Sequence, residues 1–455
     1  MKSSISVAFV TLGCAKNEVD SEKMRALIVA RGMTLTDDLN QADCIVINTC
    51  AFITEASEEA IATILETADL PRVLTGQCRL VVTGCLPSRY GDDLKHEFQE
   101  VAAFVPVGEE STIAEKIWGL FEAEEPALPD DAEQASSPLR IAETANSVWA
   151  YLKIAEGCSR RCSYCTIPDI RGPYVSYPLA DLLAEAAELV NGGVRELVLI
   201  AQDTGLWRDG EKSLPDLLEE LARLYPDVWL RIMYLQPTGV SERLLEVMKA
   251  HANICDYLDI PLQHASGQVL ANMNRSSEGA EHLALLERIR GKLPDVTLRT
   301  TLIAGFPAET RAQARETELF VQAARFDYTG VFVYSAEEGT PAAAMDGQVA
   351  MRTRRARAQR LRDMADAIGY QRAAEHIGII TEVLIVGYED GVPVGRSRAQ
   401  APEADGIIYL DGGRPGQRVR AEVYDSFCYD WYARIVASEE PEAGADAVVR
   451  RGASG

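Results

Sequence analysis

Three times in its first hundred residues the chain runs through a short apolar stretch and stops at a cysteine. Val7 to Leu12 leads to Gly13 and Cys14, Ala42 to Thr49 leads to Cys50, and Leu80 to Gly84 leads to Cys85. The first two are followed by helical spacing, from Val19 to Arg31 and from Ala56 to Ala68. Buried strands alternating with helices specify an open α/β sheet, and ligands of such sheets bind at the carboxyl ends of the strands. The cysteines lie 36 and 35 residues apart, one strand–helix unit each. Three thiolates are therefore expected on one edge, the geometry a metal cluster needs. A single cysteine after a strand is usually a small core residue; three at matching places are hard to explain that way.

A chain of 455 residues is too long for one core. The pattern divides it into an N-terminal open sheet domain over 1–121 and a proline-rich, acidic linker over 122–147 that reads as mobile. Residues 148–375 alternate six candidate strands with helical stretches. The strands are Trp149–Ala155, Glu196–Ala201, Trp229–Tyr234, Tyr257–Ile260, Val296–Ile303 and Gly330–Tyr334. Six such units suggest a partial (βα)6 barrel with its chemistry at the carboxyl face. Met351 to Ala374 follows as one long helix rich in Arg and Ala. Residues 376–440 then show short strands with turns at Asp390-Gly391 and Asp411-Gly412-Gly413, which suggests a small antiparallel β-barrel. The acidic, glycine-rich tail over 441–455 reads as disordered.

The strongest local signal is Glu156-Gly157-Cys158-Ser159-Arg160-Arg161-Cys162-Ser163-Tyr164-Cys165. Three cysteines spaced C-x3-C-x2-C after a strand can ligate three irons of a [4Fe–4S] cube. The fourth iron is then open to the amino and carboxylate groups of S-adenosylmethionine. Structural zinc wants four ligands, and no fourth Cys or His is near in sequence. Cys44, Cys78, Cys255 and Cys428 show no pattern and read as ordinary thiols. His264, near a strand's carboxyl end, reads equally well as a cofactor or substrate contact and as a structural histidine.

No run of eighteen apolar residues exists, and the N-terminus leads straight into the first strand rather than reading as a signal peptide. A cytoplasmic protein is expected, in which ten cysteines serve metal or catalysis rather than disulfides. The formal net charge of −24 speaks against nucleic acid as the main partner and suits a basic one, although an acidic surface also serves solubility alone.

These residues resemble the methylthiotransferase family, a branch of the radical S-adenosylmethionine enzymes. Thr11 to Asn17, Asn48 to Ile53 and Val82 to Cys85 are similar to the family's N-terminal cluster domain. Glu156 to Cys165, with Ile167-Pro168 and Arg171-Gly172, is similar to its radical core, and the final barrel to its TRAM domain. Ala15 and Ala51 depart from the usual proline and glycine beside the first two cysteines. Tyr257 to His264, Phe332 to Pro341, Gly395 to Ser397 and Ala401 to Gly406 resemble the branch acting on a ribosomal protein. The tRNA-modifying branch typically has Arg-Pro-Gly-Thr where this chain has Glu337-Glu338-Gly339-Thr340.

The resemblance implies methylthiolation of the β-carbon of an aspartate in small ribosomal subunit protein twelve. It implies two S-adenosylmethionine molecules, two [4Fe–4S] clusters (on Cys14, Cys50 and Cys85 and on Cys158, Cys162 and Cys165) and an electron donor such as flavodoxin or ferredoxin. Candidate S-adenosylmethionine contacts are Glu196, Gln202, Asp203, Arg299, Thr301, Gly305 and Pro307. Each also reads as an ordinary polar or loop residue of a barrel. No catalytic side chain is assigned. Residues 376–440 hold six Arg, no Lys and eleven Asp or Glu, and a barrel that grips tRNA should be basic. Glu403, Asp405, Asp411 and Asp425 are therefore the expected contacts to a basic ribosomal protein. The competing readings are a tRNA adenosine methylthiotransferase and a non-enzymatic metal- or RNA-binding protein. Three-cysteine coordination with an open position argues against the latter.

Overall fold

The structure, a computed structural model, describes residues 4–121, 139–142, 147–275 and 277–436. The expected linker falls mostly outside the described residues, and the expected tail wholly outside them. The chain divides into two compact units, 1–372 and 373–455, so the N-terminal sheet and the central sheet belong to one body.

The N-terminal sheet has five parallel strands, β1 (Ser6–Thr11), β2 (Thr34–Leu35), β3 (Cys44–Thr49), β4 (Arg79–Gly84) and β5 (Val101–Pro106), in the order β2-β1-β3-β4-β5. Both faces are covered. Along β3 the side chains alternate, Cys44 and Val46 entering one apolar cluster and Ile45 and Ile47 the other. Helices α1 (Ala15–Ala30), α2 (Thr54–Ala68) and α3 (Cys85–Tyr90) each begin just past one of the three central strands. The spacing reading lacks β2, which is two residues long, and β5, a half-exposed edge strand without clean alternation.

Helix α1 is buried around most of its circumference. Met24 and Ile28 pack with the sheet, while Lys16, Asn17, Asp20, Ser21, Glu22 and Arg25 are also buried. Buried charge is tolerated only when paired; Asp20 pairs with Lys153 of the central sheet and with Arg171, and Glu22 with Arg140.

That sheet consists of β6 (Trp149–Lys153), β7 (Glu196–Ile200), β8 (Trp229–Ile232), β9 (Ile254–Asp259), β10 (Thr297–Ala304) and β11 (Tyr328–Val333). The strands are parallel, and neighbours follow chain order. This is the expected six-unit array. Helices α4 (Leu179–Asn191), α5 (Leu214–Leu224), α6 (Glu242–Ala250), α7 (Gly279–Lys292) and α8 (Arg311–Ala324) connect the strands. One continuous core contains Leu199, Leu230, Leu258 and Leu302 together with Leu217, Leu244 and Val321 of those helices. Helix α8 starts at a capping box, in which the Thr310 amide donates to Gln313 and the Gln313 amide to the Thr310 hydroxyl. The long α9 (Met351–Ala374) follows.

In the second unit, β12 (Ile380–Glu389), β13 (Val392–Arg396), β14 (Ile408–Leu410), β15 (Arg418–Phe427) and β16 (Asp430–Ile435) close into a barrel around Val383, Ile385, Val423 and Trp431. It is not wholly antiparallel as expected, because β14 pairs parallel with β16. No helix of the described residues is long and apolar enough to cross a membrane.

Candidate functional site

Cys14, Cys50 and Cys85 follow β1, β3 and β4, three adjacent strands of one sheet. Neighbouring strands lie about 4.8 Å apart, so the three sulfurs share one carboxyl edge. Gly13 has φ +100°, and a Cβ built there would stand 2.6 Å from the Cβ of Cys50; only glycine lets the two loops approach so closely. The Cys50 and Cys85 thiols share a hydrogen bond, which lowers the Cys50 pKa. The same bond, together with burial, raises that of Cys85.

Cys158, Cys162 and Cys165 lie in the loop after β6. Gly157 has φ +73°, and a Cβ there would come within 2.2 Å of the Pro173 carbonyl oxygen. The Cys158 amide donates to Gly172 O at 3.0 Å and that of Cys165 to Cys162 O at 3.1 Å. The Ser163 amide donates to Met273 O at 3.0 Å. Burial pushes the Cys165 thiol up to about 12, and the neighbouring sulfurs of Cys162 and Cys158 add to it. Three thiols bind iron as thiolates, so ligation must recover this cost. Among the described residues no three His, Cys, Asp or Glu side chains gather to hold a single metal ion. Three cysteines in each set match three-iron ligation of a cluster, whereas structural zinc takes four protein ligands.

A buried polar network locks the two triads together. Arg171, six residues past Cys165, donates to Asn17 Oδ1 at 2.6 Å, Asp20 Oδ2 at 3.2 Å and Glu156 Oε1 at 3.1 Å. Lys153 pairs with the same Asp20 and with Glu156 at 2.8 Å. Burial works against the Arg171 charge, but Asp20, Cys85 and Glu156 outweigh it and hold the guanidinium firmly ionised. Burial likewise opposes ionisation of Glu156, yet Lys153 and Arg171 hold its carboxyl down at about 2. The hydroxyl of Thr166, beside Cys165, donates to Phe52 O at 3.0 Å, so one hydrogen bond joins the two cysteine loops. Arg140, in the expected mobile linker, is instead buried and bonded to Glu22, Glu185 and Tyr151.

Glu337 is buried, accepts from Arg89 of α3 at 2.9 Å and from the Thr54 amide at 2.9 Å. The segment that separates the two family branches thus clasps the helix carrying Cys85. An arginine at position 337 would face Arg89 instead of pairing with it.

The expected S-adenosylmethionine contacts fall at four places. Gln202 and Asp203 follow β7 at the rim. Gln202 donates to Glu156 at 2.7 Å, Asp203 pairs with Arg160, and Gln202 Oε1 and Asp203 Oδ1 are buried without a hydrogen-bond partner. Unmet buried acceptors at a strand's carboxyl end suit a ligand donor such as an ammonium group. Arg299 and Thr301 lie on β10, with Arg299 paired to Asp259 at 3.0 Å. Glu196 belongs elsewhere. It opens β7 at the amino end, is fully buried, and pairs with the equally buried Arg231 at 2.7 Å, a structural ion pair. The amides of Gly305 and Phe306 are taken by Glu309 and Pro307 is buried, so that loop holds its own shape. His264 is a structural histidine, 1% exposed, its Nδ1 accepting from the Ser266 amide, and burial lowers its pKa to about 3.

The structure adds three residues that spacing did not single out. Tyr234 and Gln263, just past β8 and β9, have φ +61° and +72°, and Gln263 Oε1 is buried without a hydrogen-bond partner. Such backbone strain in non-glycine residues clusters at functional sites. The buried Lys16 of α1 lies 3.2 Å from the centroid of the Tyr234 ring and brings the N-terminal domain onto the rim. Burial lowers its pKa to about 8. The stretches Thr11 to Asn17 and Tyr257 to His264 contain Lys16 and Gln263, but nothing in their spacing singles out either residue.

In the second unit Glu403, Asp411 and Asp425 are exposed. Asp405 is half-buried and its carboxylate accepts from the Ala401 amide at 2.8 Å, so it shapes its loop.

Residues 6–106 match a family described only as uncharacterised family UPF0004, 152–321 the radical SAM superfamily and 377–436 the TRAM domain. The chain is 42% identical over 446 residues to the ribosomal protein uS12 methylthiotransferase RimO of Citrifermentans bemidjiense, covering 96% of this chain and 99% of that one. It is 42% identical to the RimO of Syntrophus aciditrophicus over the same shares. The chain belongs to the RimO family of radical S-adenosylmethionine methylthiotransferases. Among solved structures, the radical S-adenosylmethionine methyltransferase TsrM of Kitasatospora setae shares the fold with TM-score 0.55 at 16% identity, over 74% of this chain and 77% of that one. The cobalamin-dependent radical enzyme OxsB does so with TM-score 0.51 at 13% identity, over 80% and 56%.

Proposed function

We propose that this chain attaches a methylthio group to the β-carbon of an aspartate in ribosomal protein uS12. One [4Fe–4S] cluster is held by Cys158, Cys162 and Cys165 and a second by Cys14, Cys50 and Cys85. The observation that carries the reading is a three-cysteine sheet edge and a three-cysteine loop fastened together through Arg171 and Thr166. When bound, the first cluster and S-adenosylmethionine supply radical chemistry able to break a C–H bond that no side chain can deprotonate at neutral pH. The chain's own part is to hold, orient and enclose. Gln202 and Asp203 present buried acceptors at the rim, and Lys16 and Tyr234 form a wall between the rim and the N-terminal edge. An electron donor such as flavodoxin or ferredoxin completes the reaction.

Mass spectrometry of ribosomal proteins and tRNA from cells lacking the chain tests this. The expected result is uS12 lighter by one methylthio group with tRNA unchanged. Unmodified tRNA beside normal uS12 would move the chain to the tRNA branch.

The acidic second unit supports a basic protein substrate over tRNA. Exposed charges act weakly one by one and are screened within about 8 Å at physiological salt, yet several together raise an encounter rate. Reversing Glu403 and Asp425 to Lys is expected to weaken uS12 binding several-fold at low salt and to leave S-adenosylmethionine cleavage unchanged. Fluorescence anisotropy with labelled uS12 over a salt series measures it. Equal affinity in the variant removes the barrel acids from docking.

A further inference from the structure

A chain of net charge −24 nevertheless has a cleft of about 620 Å³ lined by five arginines, Arg311 and Arg315 of α8 and Arg352, Arg357 and Arg360 of α9. Glu318 is the only acid among its described lining residues. It is buried and sits between Arg315 at 2.6 Å and Arg360 at 3.1 Å, pinning one guanidinium from each helix at the cleft wall. Arg357 pairs with Glu309 at 3.3 Å. Arg311 and Arg352 are exposed and take no hydrogen bond or ion pair among the described residues. The lining comes from the first two to three turns of both helices. The amino ends of helices carry partial positive charge.

We propose that this cleft binds the phosphate backbone of RNA. Unpaired guanidiniums present planar forks that match phosphate oxygens. From Arg352 to Arg360 the positive charge extends about 12 Å along α9 at 1.5 Å per residue, and Arg311 and Arg315 run along the facing helix. That length suits several successive phosphates rather than one. An acidic protein matches the sign of the charge but not the regular spacing of bidentate acceptors. On the reading of uS12 as substrate, on which this step alone rests, the RNA is the ribosomal RNA beside uS12 in a small-subunit particle. The enzyme then engages its protein target within an RNA-containing assembly.

The test uses the cluster-loaded full chain and a fluorescent single-stranded RNA oligonucleotide. Log affinity falls with log salt at about 0.7 per phosphate contact for single strands. The two unpaired arginines, Arg311 and Arg352, alone predict about a sevenfold weakening between about 50 and about 200 mM salt. The double variant Arg311→Glu, Arg352→Glu should bind more than tenfold more weakly at low salt, with a shallower salt slope. Its iron content and S-adenosylmethionine cleavage should match the wild type, because both side chains are exposed and unpaired. Its methylthiolation of free uS12 should be retained while that of uS12 in small-subunit particles falls. Equal RNA binding by the variant, or wild-type binding indifferent to salt, overturns the proposal. So does tripolyphosphate or polyglutamate displacing the RNA as well as competing RNA does at equal charge concentration. Normal uS12 mass in cells lacking the chain would sink the substrate assignment and leave the RNA-binding result standing.

Discussion

Replacing Cys14, Cys50 and Cys85 together by Ala is expected to abolish methylthio transfer while reductive cleavage of S-adenosylmethionine continues. The first triad follows three strands of the N-terminal sheet and the second lies in one loop after β6 of the central sheet, so emptying one leaves the ligands of the other in place. Anaerobically reconstituted wild type should hold about eight irons and the triple variant about four. The complementary variant, Cys158, Cys162 and Cys165 to Ala, should also hold about four and lose cleavage and transfer alike. Iron analysis with quantification of 5′-deoxyadenosine and modified uS12 separates these outcomes. Product from the first variant would mean that the transferred sulfur does not depend on the N-terminal triad. Wild type saturating at four irons would remove the second cluster.

Arg171→Met should be among the most damaging single substitutions outside the cysteines. It leaves the buried Asp20 and the half-buried Glu156 with only Lys153 to balance them. Breaking a buried ion pair by removing one partner costs about 3–5 kcal/mol, a large part of the roughly 5–15 kcal/mol that holds a domain folded. Arg171→Lys keeps the charge but loses the fork that reaches Asn17, Asp20 and Glu156 at once and should fall between. Anaerobic denaturant unfolding gives the stability, and iron retention gives the effect on the triads. A Met variant as stable as wild type would mean that the network contributes specificity rather than stability.

Much of the fold was legible because apolar runs ending at glycine and cysteine mark strand ends directly, and five helices recur between them. The cysteine edges followed, since period and topology place Cys14, Cys50 and Cys85 together whatever their neighbours do. What holds the edges together was not legible. Asn17, Asp20, Lys153, Glu156 and Arg171 come from segments up to 154 positions apart, and a charged helix face reads from sequence as solvated. The same blindness misplaced Glu196, because an acid at a strand's amino end looks like one at its carboxyl end until its partner Arg231 is seen. Beside His264 the informative residue was its neighbour Gln263, whose left-handed backbone no periodicity reveals. The parallel β14–β16 pairing closes the last barrel against the hairpin pattern that turn residues suggest.

The hydrogen bond from Thr166 to Phe52 and the fork of Arg171 have a consequence for inheritance. The two cysteine-bearing halves cannot be exchanged freely between relatives. A chimera joining one member's N-terminal domain to another's central sheet would bring together α1 and β6 surfaces whose buried charges were matched to different partners. Positions 17, 20, 153, 156 and 171 must travel as a set, with 89 and 337 as a second. Recombination between homologous genes is therefore expected to leave intact descendants only when the crossover respects both sets. The boundary before the second unit, at residue 373, separates no member of either set from its partners and is open to exchange.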